Sequence, residues 1–442
     1  MKNIFVIGLT DYQRTELEAL PNADEYDIRG LLDPSVAVSG RHSFHGLLEQ
    51  ARQELAQHAV QPDAIIAHWD FPTSVLVPIL CKENGIPSPS LESVLKCEHK
   101  YWSRLEQSRS IPDCAPAFSA FDPFDADPLA QIEIDFPFWV KPIKTFSSQL
   151  GFRVDDAEDF DTALVAIRQK VRLLGDTFDE ALSLLELPAE VAWTTGHTCI
   201  AEELVEGVQS APEGSVFRGE FKVHGVIDMP KDDRTNSFEK LLYPSTMPEH
   251  VQQRMIRSAQ TFLAHIGFDN GCFNVEFMWD QRRDKLQLIE VNTRISQSHL
   301  DMFYKVDGVT NHQVAINVAL GQRPAMPQRK GKYQVAAKCM LRHTGDGVVT
   351  QVPDEEDLRR LKELAPDSYL DHKLRPGMRL SELPNQGSYT FIYGDIDLGA
   401  DSPEELDQLF GRCVEALPFE FAPVPTMDPV ANQSARPGAS GP

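Results

Sequence analysis

The chain has 442 residues, of which 42% are hydrophobic and 24% are charged, and its formal net charge is −24. This length exceeds what one simple hydrophobic core organises, so we expect two to four domains. The acidic balance argues against a nucleic-acid partner and against an anionic membrane surface. It also means that any anionic ligand needs locally placed Lys or Arg residues.

Cysteine usage and the absence of targeting signals predict a cytoplasmic protein. The seven cysteines are scattered, form no CxxC pair and are odd in number, which is typical of reduced thiols and not of a disulfide framework or a zinc site. The apolar run at residues 4–7 is too short for a signal peptide, and no run approaches the length of a membrane span.

Residues 1–95 alternate between strand-like and helix-like patterns. Residues 4–7 and 64–67 are short apolar runs of strand length, and residues 44–59 have helical periodicity. Strands that alternate with helices predict a parallel, doubly wound sheet. The turn at residues 8–11 lacks the spaced glycines of a dinucleotide fingerprint, so NAD is not predicted.

Residues 96–330 are assigned to a second domain in which antiparallel strands are expected. Helices are predicted over residues 98–107, 156–186 and 249–265. Strands are predicted over residues 138–142, 198–205, 222–228, 273–279 and 285–292.

A smaller mixed domain is predicted over residues 331–421, with strands that include residues 335–341 and 389–393. Residues 422–442 are rich in Pro, Ala, Gly and Ser and show no periodicity. Such a segment lacks enough apolar side chains to form a core, so we predict a disordered tail.

The most informative feature is a predicted hairpin whose two apolar strands each contain an acid. If its polar turn is centred on Arg283, Glu276 lies directly opposite Glu290, with Cβ atoms roughly 5 Å apart. Asn292 points to the same face because side chains alternate along a strand. Oxygen ligands of this kind suit Mg²⁺, which binds one or two carboxylates together with nucleotide phosphates. The alternative is an exposed acidic hairpin, against which the apolar residues of both strands argue.

Two lysines precede this hairpin and are candidates for binding phosphate. Lys141 ends a buried strand, before a polar loop that contains Ser147 and Ser148, and Lys100 lies early in a helix. A lysine can neutralise phosphate while the backbone N–H groups of such a loop close over it. Taken singly, each lysine is more often a surface residue.

In this order the motifs resemble the ATP-grasp superfamily. The resemblance implies an α/β protein with α+β lobes: an N-terminal Rossmann-like parallel sheet, a central two-lobed ATP-grasp fold and a small C-terminal mixed lid domain. The motifs that carry it are residues 98–100, 139–142, 201–207, 274–277 and 289–294.

The resemblance also implies a role for each matching residue. Glu276, Glu290 and Asn292 would bind one or two Mg²⁺ ions, for which Mn²⁺ is an alternative. Arg294 would be catalytic, since it would hold an acyl phosphate and then the oxyanion of a tetrahedral intermediate; the alternative for Arg294 is a salt bridge to a nearby acid. The residues assigned to ATP are Lys100, Lys141, Ser147, Ser148, Glu202, Glu203, Leu204 and Glu206.

The sequence departs from the biotin carboxylases of this superfamily in two places. The loop at residues 144–149 has no glycine, and residues 295–299 contain no acid that could act as the base after Arg294. Both departures argue against bicarbonate activation. Gln209 replaces a glutamate that many members have at the ribose contact, a role for which Glu206 could substitute.

The C-terminal segment resembles the lid domain of L-amino-acid ligases and carnosine-synthase-like enzymes. In this interpretation Lys240, Ser296 and His299 face the acyl substrate, and His299 is either a substrate contact, a general base or a buried structural histidine.

We therefore predict an ATP-dependent carboxylate–amine ligase that forms an amide or peptide bond through an acyl phosphate and releases ADP and phosphate. Its expected partners are a small carboxylic acid and an amine or amino acid, with no nucleic acid and no membrane, and a homodimer is an open alternative to a monomer. Two other hypotheses remain: a bicarbonate-activating carboxylase or carbamoyl-phosphate-forming enzyme, and an ATP-binding module without turnover.

Overall fold

The computed structural model describes residues 1–38, 42–145, 150–231, 238–383 and 390–424. The chain forms two compact units. The first contains Met1–Cys339 with Asp397–Asp407, and the second contains Met340–Ile396 with the described residues from position 408 onward. The four-part division predicted from the sequence remains a prediction. No helix within the described ranges is long and apolar enough to cross a membrane.

The first unit begins with a three-stranded parallel sheet of order β2-β1-β3. The predicted parallel arrangement is confirmed, and β2 is a strand that the sequence pattern missed. Phe5 and Ile7 pack in one cluster and Ile4 and Val6 in another, so β1 is buried on both faces. The elements are β1 (Lys2–Ile7), β2 (Tyr26–Leu31), β3 (Ala64–Ala67), α1 (Asp11–Glu18), α2 (Pro34–Ala37), α3 (Phe44–Gln57) and α4 (Thr73–Asn84).

The helix predicted over residues 98–107 is present from residue 100, and another helix, which the sequence pattern missed, precedes it. They are α5 (Leu91–Glu98) and α6 (Lys100–Ser110). His99 lies between them with an extended backbone, and its Nδ1 accepts a hydrogen bond from the backbone N–H of Trp102 at 3.1 Å. The imidazole thus caps α6, which is why the helix restarts there and why Lys100 is its first residue.

A four-stranded antiparallel sheet of order β4-β7-β5-β6 forms one lobe. In β5, Phe138 and Val140 are buried against Phe160, which leaves Lys141 on the opposite face. Glu202 shares that face because it pairs with Trp139, two residues before Lys141. The elements are β4 (Phe118–Phe121), β5 (Phe138–Pro142), β6 (Phe152–Val154), α7 (Ala157–Lys170), α8 (Arg172–Leu182) and β7 (Cys199–Glu203).

A larger antiparallel sheet contains the strand order β12-β11-β8-β9-β10. Strand β8 was not predicted because Pro212 and Gly214 interrupt its pattern, as they would in a loop. Its register with β9 shifts between Glu213 and Gly214, which accommodates these residues. The elements are β8 (Val208–Phe217), β9 (Glu220–Met229), β10 (Lys240–Tyr243), α9 (Glu249–His265), β11 (Gly271–Asp280) and β12 (Lys285–Asn292).

The remaining elements complete the first unit and form the second. Strand β17 extends to Pro423 and pairs with β14, so the predicted tail begins too early at residue 422; residues 425–442 of that tail lie outside the described residues. The elements are α10 (Leu300–Asp307), α11 (His312–Ala319), β13 (Val335–Thr344), β14 (Gly347–Gln351), α12 (Glu355–Leu364), β15 (Tyr369–His372), β16 (Thr390–Ala400), α13 (Pro403–Ala416) and β17 (Glu420–Pro423).

Candidate active site

The hairpin of β11 and β12 places Glu276 directly opposite Glu290, as predicted. This pairing does not come from a simple turn centred on Arg283, because Asp280 pairs with Lys285 and Phe277 pairs with Leu288. Continued without a break, that register would set Glu276 against Ile289. A β-bulge between Glu276 and Phe277 inserts one extra residue in β12, so Glu290 becomes the partner.

Arg104 of α6, which the sequence analysis missed, binds the backbone at this bulge. Its guanidinium donates to the carbonyl oxygens of Leu288 at 2.8 Å and Ile289 at 2.9 Å. Its side chain is only 4% exposed, and its Nε lies 2.6 Å from Oε1 of Glu202. One side chain therefore joins the bulge of the large sheet to β7 of the small sheet. Its position four residues after Lys100, on the same helix face, is the signal that could have identified it.

The carboxylate of Glu202 joins Arg104 to Lys141. Nζ of Lys141 lies 2.6 Å from Oε2 of Glu202, which is buried. Burial raises the pKa of Glu202, but the charges of Arg104 and Lys141 outweigh it and hold that pKa at about 2. Burial lowers the pKa of Lys141, against the charge of Glu202. Glu202, which the resemblance placed near adenine, is thus paired with Lys141, which the resemblance assigned to the phosphates of ATP.

Three more of the residues assigned to ATP lie at or just after the end of β7. Glu203 accepts hydrogen bonds from Nζ of Lys285 at 2.9 and 3.2 Å. Leu204 is half-buried and Glu206 is exposed. Ser147 and Ser148 lie outside the described residues.

Lys100 connects the predicted phosphate site to the predicted metal site. Its Nζ donates to Oε1 of Glu290 at 2.8 Å and to the carbonyl oxygen of Thr145 at 2.9 Å. Burial lowers the pKa of Lys100, but Glu290 more than offsets this, so the pKa is raised. Burial alone would raise the pKa of Glu290, but the charge of Lys100 outweighs burial and lowers that pKa to about 2. Glu290 is therefore ionised at neutral pH.

Among the described residues, no Lys or Arg forms an ion pair with Glu276. It accepts hydrogen bonds from Nε2 of Gln209 at 2.8 Å and Nδ2 of Asn292 at 3.3 Å. Burial and the facing charge of Glu290 raise its pKa to about 7. Gln209, which the resemblance placed near the ribose, thus contacts a predicted metal ligand.

This set fits a divalent cation that shares its coordination with a ligand. No group of three or more His, Cys, Asp or Glu side chains that could hold a metal ion occurs in the part of the chain that the structure describes. One or two carboxylates are instead what a protein usually contributes to Mg²⁺ when phosphates supply the remaining oxygens, and this set has two carboxylates beside the amide of Asn292. The raised pKa of Glu276 indicates negative charge that a cation at this position would compensate.

The pKa of Glu276 predicts that divalent-cation affinity depends on pH. A carboxyl with a raised pKa is protonated and neutral below about pH 7 and charged above it, and a cation must displace that proton. We expect Mn²⁺ affinity in the absence of nucleotide to fall by up to about tenfold per pH unit below pH 7 and to level off above it. Calorimetric titration between about pH 6 and pH 8 tests this, with Glu276→Gln as the variant that should lose the dependence. Constant wild-type affinity over this range would contradict it.

Arg294 forms a salt bridge to a nearby acid, which was the alternative to its predicted catalytic role. Its Nη2 and Nε lie 2.6 and 2.7 Å from Oδ1 of Asp70, which follows β3 in the parallel-sheet region. Burial lowers the pKa of Arg294, but the charge of Asp70 outweighs it and raises that pKa. The guanidinium is therefore charged. The catalytic role of Arg294 remains a prediction.

Two of the three residues predicted to face the acyl substrate are held by side-chain contacts within the first unit. Lys240 forms an ion pair with Asp407. His299 is buried, and its Nδ1 lies 2.7 Å from Oε2 of Glu213, which also accepts from the backbone N–H of Ser296 at 3.1 Å. The position of His299 agrees with the alternative of a structural histidine, and the substrate roles of all three remain predictions.

Comparison with known sequences agrees with these motifs over part of the chain. A family model described as "Carbamoyl-phosphate synthase L chain, ATP binding domain" matches residues 242–325. The C-terminal section of the carbamoyl phosphate synthase large chain from Methanopyrus kandleri is 21% identical over 269 residues, which are 59% of this chain and 45% of that protein. The chain therefore spans less than half of the length of this relative.

Comparison with solved structures covers nearly the whole chain. L-amino acid ligase from Bacillus licheniformis has a TM-score of 0.68 and 16% identity, with 96% of this chain and 99% of that chain covered. An N5-carboxyaminoimidazole ribonucleotide synthetase solved as an ADP complex has a TM-score of 0.64 and 14% identity, with coverages of 93% and 96%. These similarities confirm the predicted two-lobed ATP-grasp fold. The ordered motifs and the family model over residues 242–325 agree with this fold, so the chain is similar in fold to the ATP-grasp ligases.

Proposed function

We propose that this protein is an ADP-forming carboxylate–amine ligase that activates a carboxylic acid as an acyl phosphate. The observation that carries the proposal is the contact between Nζ of Lys100 and Oε1 of Glu290 at 2.8 Å, opposite Glu276. This contact joins a cation suited to phosphate to a pair of acids suited to Mg²⁺. A site that holds both partners of Mg²⁺·ATP is what phosphoryl transfer requires.

ATP would lie between the two antiparallel sheets of the first unit. Lys100 and Lys141 would exchange their present carboxylate partners, Glu290 and Glu202, for phosphate oxygens. Glu276, Glu290 and Asn292 would hold Mg²⁺, which supplies charge neutralisation for the transferring phosphoryl group when it is bound. The carbonyl and N–H groups of the backbone near Leu204 would contact adenine.

The chemistry then has two steps. A substrate carboxylate oxygen attacks the γ-phosphorus of ATP, ADP leaves, and an acyl phosphate forms. An amine nitrogen next attacks the acyl carbon, and phosphate leaves with the electron pair of the C–O bond. Arg294 would stabilise the oxyanion of the tetrahedral intermediate, because its guanidinium is charged and is fixed by Asp70.

Two observations support an amine as the acceptor: the similarity in fold to an amino acid ligase, and the lack of an acidic residue directly after Arg294. The solved structure with a TM-score of 0.68 is an L-amino acid ligase, and residues 295–299 contain no acid after Arg294. We therefore propose that an amino acid or another small amine is the acceptor and that a small carboxylic acid is activated.

Identification of the nucleotide product tests the proposal. Purified protein with ATP, Mg²⁺ and a pool of amino and carboxylic acids should release ADP and phosphate, and omission of the acids should stop the release. AMP and pyrophosphate as products would contradict it, since they indicate adenylation.

A second candidate is a carbamoyl-phosphate-forming or bicarbonate-activating enzyme. The match of residues 242–325 to the carbamoyl-phosphate synthase model favours it. This candidate predicts ADP formation that depends on bicarbonate and needs no other carboxylic acid. A bicarbonate-depleted assay with an added acid distinguishes the two, because only the ligase remains active.

A further inference from the structure

The ion pair between Asp70 and Arg294 leaves one oxygen of Asp70 available. Both guanidinium contacts are made to Oδ1. Oδ2 has no hydrogen-bond partner among the residues that the structure describes, and the Asp70 side chain is 34% exposed. Asp70 thus binds Arg294 through one oxygen, and within the described ranges the other oxygen of this partly exposed side chain accepts no hydrogen bond.

The backbone around Asp70 is fixed by hydrogen bonds of its own. The carbonyl oxygen of Asp70 accepts from the N–H of Thr73 at 3.1 Å at the start of α4. Nε1 of the preceding Trp69 donates to the carbonyl oxygen of Gly8 at 2.9 Å. The position lies just beyond the carboxyl end of β3, which is where parallel sheets commonly place ligand-binding groups.

The second step of the proposed reaction requires a proton acceptor near Arg294. An α-amino group has a pKa of about 7.7–8.0, so at neutral pH most of it is ammonium and cannot attack. Residues 295–299 contain no Asp or Glu. The only titratable side chain among them is that of His299, which is bound to Glu213.

The charged and titratable groups around Asp70 leave it as the best-placed acceptor. Glu276 is a predicted metal ligand, and Asp70 contributes to its raised pKa. Lys144, which lies over the ring of Phe71, is paired with Glu98. His68 is buried, and burial followed by the charge of Arg294 lowers its pKa to about 3, so its imidazole is a weak base.

We propose that Asp70 is the general base that deprotonates the amine acceptor. Oδ2 binds the ammonium group and takes one proton from it. The nitrogen lone pair then forms the C–N bond and gives the tetrahedral intermediate, and when this intermediate collapses the C–O bond breaks and phosphate leaves with that electron pair. The second proton of the amine nitrogen is lost to solvent when the tetrahedral intermediate collapses. This assignment rests on the proposed function, since it needs an acyl phosphate as the electrophile.

Asp70→Asn separates the two steps of the reaction. Hydroxylamine is mostly unprotonated at neutral pH and attacks acyl phosphates without a base, so hydroxamate formation reports the first step alone. We expect Asp70→Asn to retain hydroxamate formation within a few-fold while amide formation falls by about 10²–10⁴-fold. Raising the pH towards the pKa of the amine should restore amide formation by up to about tenfold per pH unit. Asp24→Asn, a change of an exposed acid in the same region, is the matched control and should leave both rates unchanged.

Each result decides between explanations. Equal loss of hydroxamate and amide in Asp70→Asn would overturn the assignment, because Asp70 would then serve only to position Arg294 for the first step. Unchanged amide formation would overturn it too. Asp70→Glu retains a carboxylate and should recover part of the amide rate; no recovery, with hydroxamate formation intact, would exclude a base at this position. Absence of hydroxamate and of acid-dependent ADP in the wild-type protein would refute the proposed function itself, and this assignment with it.

Discussion

Glu290→Gln should lower the rate of acid-dependent ADP formation by about three orders of magnitude. The amide keeps the size of the side chain but removes the charge that binds Lys100 at 2.8 Å and that we propose binds Mg²⁺. Stabilisation of transferring phosphoryl charge by a metal is worth several kcal/mol, and each 1.36 kcal/mol corresponds to about tenfold in rate. Coupled-enzyme detection of ADP at saturating ATP measures the effect.

Glu220→Gln is the matched control for this variant. Glu220 lies on β9 of the same large sheet, is more than half exposed and, in the part of the chain that the structure describes, pairs only with the exposed Arg323. We expect its activity to stay within twofold of wild type, because surface ion pairs contribute roughly 0–1 kcal/mol. A loss of less than tenfold in Glu290→Gln, with the control unaffected, would rule out Glu290 as a metal ligand.

Arg104→Met should lower the free energy of unfolding of the first unit by about 3–5 kcal/mol, because it leaves a buried acid with one partner fewer. Glu202 would keep only Lys141, and the carbonyl oxygens of Leu288 and Ile289 would lose their donor. The β-bulge that sets Glu290 opposite Glu276 would then lose its contact with α6, so we also expect a higher Mg²⁺ concentration for half-maximal ADP formation.

Arg109→Met distinguishes this effect from the loss of any helical arginine. Arg109 lies on the same helix, but its side chain is 43% exposed and pairs with the exposed Glu190 and with the buried Glu106, which keeps its contacts with Trp102 and His265 when Arg109 is lost. Its loss should cost at most about 1 kcal/mol in urea unfolding. Similar unfolding free energies for the two variants would contradict the role given to Arg104.

Local patterns were enough to predict the elements that present the site. The parallel strands β1 and β3, the strand that carries Lys141 and the two strands of the acidic hairpin all follow from runs of apolar residues and polar breaks. Such runs reflect burial of each strand against its neighbours, which the sequence records directly. The hairpin that carries Glu276 and Glu290 was predictable for this reason, whereas their direct opposition depends on the β-bulge.

The contacts that hold the site together were not predictable, because they join residues far apart in the chain. Nothing near Arg294 indicates that Asp70 is its partner, and nothing near Leu288 indicates Arg104. The bulge in β12 and the strand β8 depend on pairing with neighbouring strands, which overrides the local preference of Pro212 and Gly214. Specific long-range ion pairs have no periodic signature, so only the folded chain reveals them.

Transfer of an oxygen label from the carboxylic acid to phosphate tests the acyl-phosphate mechanism most directly. With an acid that carries ¹⁸O in its carboxylate and that supports ADP formation, the mechanism predicts one ¹⁸O atom in each inorganic phosphate released, because the attacking oxygen leaves with the phosphoryl group. Mass spectrometry of the phosphate reads this out. Unlabelled phosphate, or ¹⁸O recovered in AMP, would contradict it.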